Sequence, residues 1–125
     1  MANDSVQLMH EGGAWALRVA RSEGLAGAVR GSAQCMADVR AGQQSAHYCL
    51  GVETALMLMF KRTPPATLDP ATLAWFEGEA MTDRLLTYCY THLELKGDMQ
   101  CLAQMGTAKA AVEPLVTARW GAALR

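Results

Sequence analysis

With 125 residues the chain is long enough for one domain that buries roughly two thirds of the surface its unfolded form exposes. Eleven basic and twelve acidic side chains leave a net charge of -1 without a long run of like charge, which excludes an electrostatic footprint for DNA or RNA. Ala, Leu, Met and Val supply most of the 51% apolar content, so the expectation is an all-α single domain over residues 1–125.

No stretch approaches the roughly 20 consecutive apolar residues that cross a bilayer. Met1-Ala2-Asn3-Asp4-Ser5 has neither the basic nor the apolar region of a secretory signal, which leaves two expectations. Either the protein is cytoplasmic, or the chain is a mature form whose leader has been replaced by a start methionine.

In chain order, Gly12-Gly13 is expected to separate a short helix, about Val6 to Glu11, from a second that begins near Ala14. Ser32 reads as the N-cap of a short helix from Ala33 to Arg40, with a turn at Ala41-Gly42-Gln43-Gln44. The next helix starts near Ser45 and carries Leu56-Met57-Leu58-Met59-Phe60. A helix apolar on nearly every side must be covered on nearly every side, so this one is expected at the centre. Lys61-Arg62 suits its negative end, and Pro64-Pro65 prevents it from continuing. Asp69 as N-cap and Pro70 at the first helical position start a helix that is expected to run to about Leu95. Lys96-Gly97 is expected to end it with a left-handed glycine, and Asp98 to cap a last helix from Met99. Pro114 is expected to kink or break that helix before Leu115–Leu124. The total is a bundle of about five to six helices.

The four cysteines allow three disulfide connectivities, and the turns favour one. Cys35 and Cys49 are equidistant from Gly42, and Cys89 and Cys101 from Leu95. Each pair thus sits where a bridge can link the arms of a helical hairpin, Cα atoms about 5–6 Å apart. Buried free thiols are the second possibility. Metal is the third, because His47 and Cys49, or Cys89 and His92, could supply ligands; however, no C-x-x-C or common zinc spacing is present.

A catalytic cysteine would pair Cys49 or Cys89 with His47 or His92, but neighbours in sequence are a weak sign of such a pair. Glu77, Glu79 and Asp83 read as a solvated acidic face. Glu53, on the central helix, is expected to lie on a narrow polar strip or to pair with an arginine; a buried acid of raised pKa is the functional alternative. Met57, Met59, Met81, Met99 and Met105 read as core filler. No catalytic residue and no cofactor are nominated.

Cys35, the helix start Tyr48-Cys49-Leu50-Gly51, and the later Cys89 and Cys101 together resemble the periplasmic immunity proteins that neutralise peptidoglycan amidase toxins of the type VI secretion system. The resemblance spans roughly residues 32–105 and carries over no functional residue. It implies a non-enzymatic inhibitor in the periplasm that blocks the catalytic cleft of a cognate amidase, often as a homodimer. Two exposed turns would make the contacts: Gly42, Gln43, Gln44 and Ser45 on one side, and Arg62, Thr63, Pro64 and Pro65 on the other. Trp75 or Trp120 is a candidate aromatic anchor. The alternatives are a small Cys/His metal- or redox-binding helical protein and a cytoplasmic helical dimer with an adaptor role. Neither nucleic acid nor membrane is an expected partner.

Overall fold

The computed structural model describes residues 2–121, and among these every regular element is helical. Helix α1 covers Ala2–Arg40, α2 Ala46–Phe60, α3 Pro70–Phe76, α4 Glu79–Thr87 and α5 Asp98–Arg119. A single 3-10 turn, Pro65–Thr67, leads into α3, and one π-helical turn, Tyr88–His92, follows α4. The expectation of an all-α fold with Cys35–Cys49 and Cys89–Cys101 bridges holds, with Cα separations of 5.7 and 5.5 Å.

Helix α2 is central as expected, with ten of its fifteen residues buried. Ser45 starts it, its Oγ accepting hydrogen bonds from the backbone N–H groups of His47 and Tyr48. Helices α1 and α5 cover it, and Phe76 of α3 stacks on Phe60 at its end, ring centroids 4.4 Å apart.

The expected break at Gly12-Gly13 does not occur, because these glycines serve packing. A Cβ on Gly12 would lie 2.0 Å from the carbonyl oxygen of Tyr48, and one on Gly51 2.0 Å from that of Met9. Only hydrogen in place of a side chain lets α1 and α2 approach this closely. The helix interruption comes instead at Gly24, whose φ of 78° and ψ of 173° lie outside the helical region. There α1 divides into arms 2–23 and 25–40. The Trp15 ring reaches Gly31, 2.5 Å from where its Cβ would stand. Unbroken helix would separate these two residues by about 24 Å, so the arms fold back on each other. Met9, Gly12, Gly13, Ala16, Leu17 and Ala20 make the inward stripe of the first arm, at the three- and four-residue spacing of a helix.

Ser32 does not cap a helix. It lies within the second arm, 1% exposed, because its hydroxyl has a buried partner in Glu53.

Later in the chain, the helix expected from Pro70 to Leu95 is interrupted. Asp69 caps α3 as expected, but Gly78 adopts φ 56° and ψ −137° and separates α3 from α4. The π turn then ends the segment at His92. The left-handed residue that follows is Glu94, with φ 55°; Gly97 is extended at φ 169°, and Asp98 is already inside α5. Pro114 does not break α5. Both it and Ala110, whose carbonyl loses its usual donor, lie on the exposed face, where water can solvate the carbonyl while Val112 and Val116 stay packed. The segment Leu115–Leu124 is thus helical to Arg119, and residues 122–124 fall outside those described.

Candidate functional site

Among the described residues Glu53 is the one charged residue in the core, and it is 0% exposed. Arg84 pairs with it, placing Nη2 2.7 Å and Nε 2.8 Å from Oε1, while Ser32 Oγ donates to Oε2 at 2.8 Å. The arginine also donates to the Trp75 carbonyl at 2.7 Å and lies 3.9 Å over the Trp75 ring. This cluster joins α1, α2, α3 and α4, and bears out the expectation that Glu53 pairs with an arginine. Tyr88 packs nearby, and burial first, then the Glu53 charge, push its phenol well above the ordinary range.

The turn Gly42–Ser45 stands at the beginning of α2. Gly42 has φ 75°, Gln43 and Gln44 are exposed, and Gln44 Oε1 accepts from the Ser45 N–H at 2.8 Å. A cleft of about 310 Å³ opens beside it, lined by Trp15, Gly31, Gln34, Asp38, Gln44 and Tyr48. Tyr48 also borders a second cleft with His10, Glu11 and Arg18. Partial burial raises the Tyr48 pKa and lowers that of His47. The motif Tyr48-Cys49-Leu50-Gly51 has a physical meaning here: an aromatic wall, a bridge to α1, a core side chain, and a glycine pressed on Met9.

The second turn lies at the opposite end of α2, about 22 Å away along the helix. Arg62 and Thr63 face inward there. The Arg62 side chain, 7% exposed, donates to the carbonyls of Gly121 and Leu58 and approaches Glu113 at 3.6 Å. Thr63 Oγ1 donates to the Met59 carbonyl and accepts from Trp120 Nε1 at 3.2 Å. These contacts fasten α5 to α2 and leave Pro64 and Pro65 as the exposed part of that turn. Trp75 is half-buried beneath Arg84 and lines a groove with Met36, Arg40 and Asp83. The residues nominated from sequence therefore occupy three places and form no common site.

All four sulfurs stand in disulfides, so neither Cys49 nor Cys89 is a thiolate next to a histidine. Among the described residues no group of three or more His, Cys, Asp or Glu side chains could hold a metal ion.

One surface was not expected. Met99 is 80% exposed and Leu102 67%, although Met99 reads as core filler. The inward stripe of α5 is Cys101, Ala108, Val112 and Val116, and that periodicity turns Met99 and Leu102 away from it. Leu86 and Tyr90 are exposed on the facing arm. The stripe anchored on Cys101 was the sequence signal for them.

No family model, curated protein or solved structure matches this chain. Its geometry defines a class: an all-α scaffold with two helical hairpins, each stapled by a disulfide, and with exposed turns and grooves.

Proposed function

We propose that the chain is a non-enzymatic immunity protein that binds a type VI secretion peptidoglycan amidase and occludes its catalytic cleft. The supporting observation is the way the Gly42–Ser45 turn is held: Cys35–Cys49 ties its flanking helices and Ser45 caps the second. A turn ordered before association loses little conformational entropy on binding. Gln44, Trp15 and Tyr48 then offer polar and aromatic contacts around one cleft. The chain contributes no chemistry in this reading. The identity of the partner rests on the cysteine pattern and the Tyr48-Cys49-Leu50-Gly51 helix start described above.

Two disulfides suit an oxidising compartment, which supports the periplasm over the cytoplasm. Among the described residues no helix is long and apolar enough to cross a membrane. In the alternative of a Cys/His metal- or redox-binding protein, thiolate ligation would require reduction of the bridges first.

The test is protection. In cells that lyse when they export a type VI secretion peptidoglycan amidase, co-export of the chain to the periplasm is expected to rescue them, whereas confinement of the chain to the cytoplasm is not. Lysis unchanged by the exported, oxidised chain would reject the reading.

A further inference from the structure

The α4–α5 hairpin carries an apolar groove of about 420 Å³, lined by Leu86, Tyr90, Asp98, Cys101 and Leu102; Met99, next to Asp98 in the chain, is 80% exposed. Single exposed apolar side chains are ordinary, but three that line one groove, Leu86, Tyr90 and Leu102, mark an interaction surface. The groove is built from both arms. Leu86 and Tyr90 come from α4 and the π turn, Asp98 and Leu102 from α5, and Cys89–Cys101 fixes the distance between them. The Tyr90 hydroxyl donates to Asp98 across the same gap.

Charge narrows the choice of occupant. Between Asp69 and Asp98 six carboxylates stand against two cations, Arg84 and Lys96. Arg84 is consumed by Glu53, which lies in the core outside this segment. Glu79 and Asp83 are exposed on α4 ahead of Leu86, and Glu94 and Asp98 are exposed at the other end. The groove is thus apolar within an acidic lobe of a chain that is nearly neutral as a whole. We propose that this groove is a docking surface for the partner amidase, and that the partner presents there an apolar side chain ringed by lysine and arginine. The proposal rests on the immunity reading and adds a contact surface that neither turn supplies. Apolar burial gives the affinity, and the acidic rim speeds encounter and selects against acidic partners.

The experiment measures binding of the purified amidase to the oxidised chain and to Leu102→Asp, Met99→Asp and Gln44→Ala variants, with thermal melting and sedimentation in parallel. Met99 and Leu102 face solvent, so melting temperatures are expected to stay unchanged. Each aspartate is expected to weaken binding by about 30-fold or more, the scale of a hot-spot loss. Binding by the parent is expected to slow as salt rises from about 0.1 M to about 1 M, where the screening length shrinks from ~10 to ~3 Å. A parent that binds while both aspartate variants bind equally well overturns the docking surface and leaves the immunity reading standing. A parent that sediments as a dimer, split by Leu102→Asp with amidase binding unchanged, assigns the groove to a second copy and also overturns it. A parent that does not bind the amidase at all overturns both.

Discussion

Glu53 is the residue whose removal tests the core most directly. Its carboxylate holds Arg84 and Ser32 inside the bundle, so Glu53→Gln leaves a guanidinium without its counter-charge. Breaking a buried pair on one side costs about 3–5 kcal/mol, and the partial exposure of Arg84 places this case at the low end, about 3 kcal/mol. Denaturant unfolding checks it, and in a cycle with Arg84→Gln the double variant is expected to lose less than the two single variants together. Gly12 and Gly51 make a second residue-level test. Alanine at either would push Cβ into a carbonyl oxygen and is expected to cost about 3 kcal/mol, the upper range for overpacking. Gly106, with open space around it in mid-helix, is expected to gain about 0.5–1 kcal/mol from the same change. His47 responds to pH. Burial lowers its pKa below 6.5 in the folded state, so below pH 6.5 the unfolded chain binds more protons and stability declines as pH falls. Melting temperatures at pH 5.5 and 7.5 are expected to differ less for His47→Gln than for the parent.

At the scale of elements, α2 was legible from its unbroken apolar run, and both bridges from their symmetry about Gly42 and Leu95. Gly12 and Gly24 were not, for a physical reason. A glycine has the same local signature whether it breaks a helix or admits a neighbouring backbone, and only tertiary packing distinguishes the two. Ser32 misled in a similar way: a serine that suits a cap also suits a buried hydrogen bond, and its partner lies far along the chain. The three site regions were legible as exposed turns and a tryptophan, but the inward use of Arg62 and Thr63 depends on α5, which sequence alone does not place. The hairpins themselves are open to test. Intact mass is expected to rise by four alkyl groups on alkylation only after reduction. Replacing Cys89 and Cys101 with serine is expected to cost about 3 kcal/mol through loop closure. Because α4 contributes no buried residue, hydrogen exchange is expected to quicken over α4, the π turn and the start of α5 before it does over α1 and α2.

At the scale of the whole molecule, a single buried helix carries two stapled hairpins' worth of surface outward. The Gly42–Ser45 turn and the Pro64-Pro65 turn lie at its opposite ends, and the apolar groove sits on the second hairpin. Under the proposed immunity reading such a scaffold acts by shape and charge, and the disulfides hold it rigid. Pro64→Gly or Pro65→Gly is expected to weaken partner inhibition more than it lowers the melting temperature; unchanged affinity would remove that turn from the interface. The central claim is tested most directly by titrating the oxidised chain into the purified amidase and following peptidoglycan hydrolysis. Hydrolysis is expected to fall to background at stoichiometric chain and to recover when both bridges are reduced; hydrolysis that continues unchanged in a large excess of the oxidised chain would contradict it.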